Sequence, residues 1–211
     1  MKDVPFFANT ADGTHCVQAC FRSMLKYFVP ERDFSWTELD KLTHKLPGKG
    51  TWWFPMVLEF KKLGLKTKFI EYFDYERYWK EGNDYISGIF SPEVAEYHLH
   101  RSNLPDVKHL IPEFLRQTGF KPRPATIEDI DKLLANGWLM AIDINSRTLN
   151  NRSGYSGHAV VVYKKEGQNY LIHDPGLPPN PSRKVTRKKL LEAWQYAGKN
   201  NTSLIAVKVD E

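Results

Sequence analysis

Residues 157–176 read GHAVVVYKKEGQNYLIHDPG, and this stretch decides the fold. Apolar and β-branched residues dominate 157–164 and 168–173, and a glycine-containing turn separates the two runs, a pattern that predicts an antiparallel β-hairpin. His158 lies at the start of the first predicted strand, and Asp174 ends the second. Because a hairpin returns on itself, we expect these two side chains at the same end of the sheet, where a carboxylate can orient an imidazole.

Outward from the hairpin, the pattern predicts helices in the first third of the chain and mostly strands later. Apolar residues at intervals of three and four, and capping pairs such as Ser35 with Glu38, indicate the helices. The predicted helices run from Cys16 to Pro30, from Ser35 to Pro47, and over 53–63, 92–101, 107–118, 126–135 and 186–197. Further strands are predicted over 65–73, 138–144 and 203–209. This order is typical of an α+β fold, and the 211 residues, without a shift in composition, predict one domain over residues 1–211.

The charge and hydropathy patterns argue against several classes of function. The formal net charge is +5, and basic residues are interleaved with acids, so we expect no nucleic-acid partner. The basic run over 183–189 has no stacking aromatics and is typical of a solvated face. No apolar run approaches the roughly 20 residues that span a bilayer, and no secretory pattern follows Met1. We therefore expect no membrane segment and a cytoplasmic location, while the oligomeric state stays open.

Cys16 follows a polar loop, NTADGTH at 9–15, and opens a predicted amphipathic helix. It is either a small buried apolar residue or an activated nucleophile. The first turn of a helix favours the thiolate, because its unpaired N–H groups and the positive end of the helix dipole lie there. Cys20 lies one turn further along the apolar stripe and is interpreted as a core residue. The parallel Cβ vectors of two cysteines four apart on a helix oppose a disulfide, so we expect free thiols.

The remaining histidines favour structural roles. We expect His15, next to Cys16, to face solvent or to cap the helix, and strand alternation directs His173 away from Asp174. His98, His100 and His109 have spacings that suit a metal cluster, but no cysteine or carboxylate pattern supports a zinc site. The sequence therefore predicts neither a metal nor a cofactor.

Four segments resemble the C39-like family of papain-fold cysteine peptidases. They are VPFF at 4–7, CVQACFRSMLKYF at 16–28, DIDKLLANGWLMAIDI at 129–144, and the hairpin of 157–176. The resemblance implies a papain-like fold with N-terminal helices packed on an antiparallel sheet. It also implies a peptide or amide substrate, hydrolysed through a thioester by Cys16 as nucleophile, His158 as base and Asp174 as the group that orients His158.

The sequence departs from that family at two positions near Cys16. Val17 replaces the glycine that usually follows the nucleophile, and Thr10 replaces the glutamine that usually donates to the oxyanion. Asn9 is the candidate donor in its place, because side-chain amides serve in oxyanion holes; Thr10 is the weaker candidate, and Gln18 lies within the helix, out of reach. Because the glutamine is replaced, one alternative is an inactive relative that acts as a binding module. A second alternative is an acyltransferase that uses the same triad.

Overall fold

A six-stranded antiparallel sheet runs through the computed structural model, which describes residues 3–209. The strand order across the sheet is β1-β6-β2-β3-β4-β5, and every neighbouring pair is antiparallel. The strands are β1 (Leu65–Glu71), β2 (Leu139–Asn145), β3 (Gly157–Glu166), β4 (Asn169–Asp174), β5 (Asn180–Thr186) and β6 (Ser203–Val209). The predicted α+β class and the antiparallel sheet are confirmed.

Helices occupy most of the chain before β2. They are α1 (Cys16–Phe28), α2 (Trp36–Leu42), α3 (Phe54–Lys62), α4 (Tyr75–Glu81), α5 (Asn83–Ile89), α6 (Pro92–His100), α7 (Leu104–Val107) and α8 (Ile111–Thr118). Later helices are α9 (Ile127–Ala135), α10 (Ser146–Leu149) and α11 (Arg187–Trp194). The predicted capping box of Ser35 with Glu38 opens α2, and Thr126 with Asp129 opens α9 in the same way. Such boxes satisfy N–H groups that a helix start leaves unpaired.

The sheet is covered on both faces. Ala141, Ala159 and Val161 point toward the core formed with the N-terminal helices, including α1 and α3. Their neighbours along the strands, Met140 and Val160 among them, point toward α9 and α11 on the other face. Burial on both faces explains why β2 and β3 read as nearly continuous apolar runs instead of alternating ones. The predicted packing of N-terminal helices on the sheet is confirmed, with a second helical layer behind it.

The hairpin of β3 and β4 has the predicted arrangement. Glu166 pairs with Asn169 across the turn, and the pairing extends to Val161 opposite His173. Gly167 supplies the turn with a φ of +60°, a conformation that costs glycine little. The register shifts between Val162 and Lys164, and the two strands still bring the start of β3 to the end of β4.

Three stretches differ from the sequence prediction. The segment after β1, for which the sequence pattern predicts no element, forms α4 and α5, with the Asp74 side chain accepting the Arg77 N–H at the first helix start. The helix predicted over 107–118 is divided into α7, a 3₁₀ turn and α8. The proline-rich stretch before α11 contains β5, which lies at the edge of the sheet. An edge strand tolerates Pro181, because a proline has no backbone N–H to donate to a neighbouring strand. Within residues 3–209, no helix has the length and apolar character needed to cross a membrane.

Candidate active site

Cys16 is the first residue of α1, and the preceding loop is tied to the end of β4. The backbone N–H of Asn9 donates to the Pro175 carbonyl at 2.8 Å, so the two segments meet beside Asp174. The His158 ring and the Ala159 backbone N–H lie near the Cys16 sulfur, and both lower the pKa of the thiol. The helix start thus lies directly over the start of β3, as the interpretation of Cys16 as a nucleophile requires.

His158 and Asp174 form a short hydrogen bond in a buried environment. The ring atom Nε2 lies 2.8 Å from Asp174 Oδ1, which leaves Nδ1 as the ring nitrogen available to the thiol. The Gly176 N–H donates to the same carboxylate oxygen at 3.0 Å. A Cβ on Gly176 would lie 2.9 Å from Asp174 Oδ1, so a glycine is needed for this close approach.

Arg183 completes the environment of Asp174 from strand β5. Its Nη1 donates to Asp174 Oδ2 at 2.9 Å and also to Asn150 Oδ1, while Nη2 donates to the Leu149 carbonyl. The guanidinium is therefore held on three sides, and both carboxylate oxygens of Asp174 have partners. The sequence interpretation placed Arg183 on a solvated face, which is wrong, because β5 directs it onto Asp174.

The electrostatics of the pair favour a thiolate and an imidazolium. Burial by itself raises the pKa of Cys16, but the hydrogen bond and charge of His158 outweigh it, and the pKa is lowered. Burial lowers the pKa of His158, but its bonds to Asp174 and Cys16 raise it to about 10. The pKa of Asp174 is lowered despite burial, chiefly by the hydrogen bond with His158. The three directions agree on one charge state, with Cys16 and Asp174 negative and His158 positive.

Asn9 is held beside Cys16 with its amide nitrogen available. The side-chain oxygen Oδ1 accepts the His15 backbone N–H at 2.7 Å, so Nδ2 is the atom left to donate. Thr10 is occupied differently, since its hydroxyl bonds Asp12 and His15 within the loop. Gln18 donates to Thr43 and Thr51 on the other side of α1. Of these candidates, Asn9 has the placement that suits an oxyanion donor.

Other predicted residues lie where the sequence interpretation put them, with one exception. Cys20 is buried in the core, and both cysteines are free thiols. His173 bonds the Val4 carbonyl through Nε2, away from Asp174, and is structural. His15 was expected to face solvent or to cap, but its ring is largely buried against Thr10, Asp12 and Asp40.

The three histidines considered as metal ligands have different surroundings. His98 is buried among aromatic rings, His100 is exposed beside Glu96, and His109 bonds the Asp106 carbonyl. Among residues 3–209, no group of three histidine, cysteine or carboxylate side chains is arranged to hold a metal ion.

A cleft beside Cys16 and His158 contains residues that sequence reasoning missed. Its empty space, open mouth included, is about 800 Å³. Asp143 of β2 and Glu71 of β1 line it together with Tyr155 and other aromatic residues. Burial raises the pKa of Asp143 to about 7 and that of Glu71 to about 8. The sequence signal that could have indicated Asp143 as a site residue is its position as an acid within the apolar run WLMAIDI.

Comparisons with known proteins identify the fold class. The peptidase domain of Streptococcus ComA superposes on this chain with a TM-score of 0.52 at 13% identity, and the match covers 99% of this chain and 100% of that one. ComA is a bi-functional ABC transporter involved in a quorum-sensing pathway. A candidate C39-like peptidase from Bacillus anthracis superposes with a TM-score of 0.55 at 17% identity, covering 99% of this chain and 96% of that one. The chain has the papain-like fold of C39 peptidase domains, so the expected resemblance is confirmed at the level of the fold.

Neither a comparison with protein-family models nor one with curated proteins gives a match.

Proposed function

We propose that this protein is a cysteine peptidase, or more broadly a thiol-dependent amide hydrolase, in which Cys16, His158 and Asp174 act as the catalytic triad. The observation that carries the proposal is the placement of His158, which lowers the pKa of Cys16 and whose ring lies 2.8 Å from Asp174 Oδ1. The lowered pKa of Cys16 favours the thiolate, the reactive form of a cysteine nucleophile. The C39 fold neighbours support the same reaction class.

The reaction begins with attack of the Cys16 thiolate on the substrate carbonyl carbon. A C–S bond forms, and the carbonyl electrons move to oxygen. The imidazolium of His158 then gives its proton to the leaving amine as the C–N bond breaks, and a thioester remains on Cys16. Neutral His158 next takes a proton from water, whose oxygen attacks the thioester. The carboxylic acid product leaves, and the thiolate–imidazolium pair is restored.

The surrounding groups hold these reactants in place. Asp174 accepts from Nε2 of His158, which fixes the ring orientation and stabilises the imidazolium. Arg183 holds Asp174 in turn. The oxyanion formed during attack would receive hydrogen bonds from the Cys16 N–H, at the unpaired start of α1, and from Asn9 Nδ2.

Acylation of the thiol tests the proposal directly. Intact-mass measurement after incubation with p-nitrophenyl acetate should show one acetyl group on the wild type, sensitive to hydroxylamine as a thioester is. Cys16→Ala should abolish this addition, and the matched control Cys20→Ala should retain it. An acetyl group on Cys20, or no thioester at either cysteine, would remove the hydrolase proposal.

The two alternatives from the sequence use the same residues and are separated by the fate of the thioester. A hydrolase releases acetate to water, whereas an acyltransferase passes the acyl group to an added amine such as glycinamide. A binding module forms no thioester. The cytoplasmic location and the single domain over residues 1–211 remain part of the proposal and rest on the sequence.

A further inference from the structure

The cleft beside Cys16 has an acidic floor built from four neighbouring strands. Glu71 of β1 pairs with Ser203 of β6, and Asp143 of β2 pairs with Ala159 of β3. The register of β2 with β6 places Ile142 opposite Leu204, so one step further Asp143 lies opposite Ser203. Glu71, Ser203, Asp143 and Ala159 therefore form one row across the sheet.

This row starts beside the proposed nucleophile and leads away from it. Ala159 lines the cleft together with Cys16 and lowers its pKa, and Asp143 lies one strand away from Ala159. Neighbouring strands are about 4.8 Å apart, so Glu71, two strands beyond Asp143, lies roughly 10 Å further along the floor. Both carboxyls line the cleft, at distances that an extended side chain next to a scissile bond can span.

The two carboxyls lack a basic side chain to balance them. Neither lysine nor arginine occurs among the described residues that line the cleft, although the whole protein is basic, with a net charge of +5. Glu71 accepts a hydrogen bond from the Tyr75 hydroxyl at 2.6 Å, and Asp143 accepts backbone N–H bonds from His158 and Ile144. The positive charges of His158 and Arg183 are balanced by the negative charges of Cys16 and Asp174. Neither cation is therefore left to balance Asp143 or Glu71.

The walls of the cleft suit a positively charged group. Trp52, Phe73, Tyr97 and Tyr155 line it, and aromatic faces attract cations, more strongly where water is excluded. His98 lines the same space and is only 6% exposed. Its Nδ1 is buried without a hydrogen-bond partner among the described residues, and burial lowers its pKa to about 3. The ring is thus neutral and does not repel a cation.

We propose that this cleft is a specificity pocket for a cationic substrate side chain of the lysine or arginine type, with Asp143 as its first charge partner and Glu71 as a deeper one. The inference rests on the proposed hydrolase function and names its substrate class. Buried carboxyls without a counter-charge are costly, and a bound ammonium or guanidinium would compensate both. Burial raises the pKa of both acids, and a cation beside them would favour their charged forms.

Three matched electrophiles test the proposal. Each carries the same acyloxymethyl ketone on a single N-acetylated residue, either lysine, norleucine or glutamate, and the rate of Cys16 modification is followed by mass spectrometry. The lysine probe should react about 10- to 100-fold faster than the norleucine probe, as a desolvated charge pair provides, and the glutamate probe should be slowest. Asp143→Asn should bring the lysine-to-norleucine ratio close to one, and Glu71→Gln should lower it in part. Glu96→Gln, an exposed carboxyl on the same helix as His98, should keep the ratio.

The outcomes separate this inference from the function on which it rests. If iodoacetamide labels Cys16 selectively but the wild-type ratio is near one, the cationic pocket is overturned and the hydrolase proposal survives. If Cys16 does not react with any electrophile, the hydrolase proposal fails, and calorimetry with N-acetyl-lysine methylamide decides about the pocket. Binding of that amide, but not of its norleucine counterpart, and its loss in Asp143→Asn would support the pocket; equal binding or no binding would refute it.

Discussion

Arg183 and Asp174 form a partly buried ion pair in which Nη1 lies 2.9 Å from Oδ2, the carboxylate oxygen that His158 does not use. Two elements distant from α1 therefore hold the base of the proposed triad: β4 supplies the carboxylate and β5 the guanidinium. A buried carboxylate with both oxygens bonded keeps its charge and its position, and this arrangement leads to the first prediction.

Arg183→Ala should slow acylation of Cys16 by about 10-fold, the scale of one charge-assisted hydrogen bond. The acid limb of the rate profile should move to higher pH, because Asp174 without the guanidinium takes up a proton more readily. Arg183→Lys should recover part of the rate, since it keeps the charge but not the contacts with Asn150 and Leu149. The exposed neighbour Lys184→Ala is the control. An unchanged pH profile in Arg183→Ala would show that Arg183 only supports the fold.

The two cysteines should differ sharply in reactivity. Iodoacetamide at pH 6 to 7 should alkylate Cys16 on the order of 100-fold faster than Cys20, because His158 lowers the pKa of Cys16 while burial raises that of Cys20 well above its usual value. The rate at Cys16 should rise with pH and level off at a lower pH than for an unperturbed thiol, because its pKa is lowered. Peptide mapping after timed labelling measures both sites. Slow labelling of both cysteines at equal rates would contradict the nucleophile assignment.

Variants of Asn9 test whether the loop before Cys16 supplies an oxyanion donor or has only a structural role. Asn9→Ala should lower acylation by p-nitrophenyl acetate ~10²–10³-fold, the loss seen when one oxyanion donor is removed. Asn9→Asp is the sharper variant, because it keeps an oxygen for the His15 N–H but has no amide to donate. Both should be slow, and Asn9→Asp should retain the wild-type melting temperature. If Asn9→Asp acylates at the wild-type rate, Asn9 acts through the loop and another group donates.

Glu71 should make stability depend on pH. Its folded pKa of about 8 exceeds the unfolded value of about 4.3, so the folded state is favoured most below pH 4 and loses this contribution as pH rises to about 8. Glu71→Gln should therefore raise the free energy of unfolding at pH 9 by on the order of 1–4 kcal/mol and change it little at pH 4. Urea unfolding at both pH values measures this, with Glu96→Gln as the exposed control. An equal effect at both pH values would show that Glu71 is not titrating as described.

Local patterns in the sequence were enough to nominate the proposed triad. The turn at Gly167 and the apolar runs beside it specify a hairpin, and a hairpin brings its two ends together whatever the rest of the chain does. The position of Cys16 at a helix start depends on the polar loop before it, which is also local. The three residues could therefore be nominated from the sequence, although their contact required the packing of α1 on β3.

The surroundings of the triad could not be predicted, because they depend on pairings between distant strands. In the sequence, Arg183 is one of several basic residues in a run. Only the pairing of β5 with β4 places its side chain next to Asp174. Asp143 and Glu71 come from strands far apart in the chain, and only the strand order β1-β6-β2 places them along one row. The helices α4 and α5 were missed because short polar–aromatic segments have weak periodicity and take their conformation from tertiary packing.

The sequence by itself determined the class of fold, the central hairpin and the starts of several helices, and it nominated Cys16, His158 and Asp174 as a candidate nucleophile, base and carboxylate, since these follow from propensities and spacings within short segments. Only the tertiary structure decided what surrounds them: the lowered pKa of Cys16, the guanidinium on Asp174, the hydrogen bonds that hold Asn9 in the loop before Cys16, and the acidic cleft beside Cys16. Electrostatic effects depend on distance and burial, and neither is fixed until strands and helices that are remote in sequence are packed against one another.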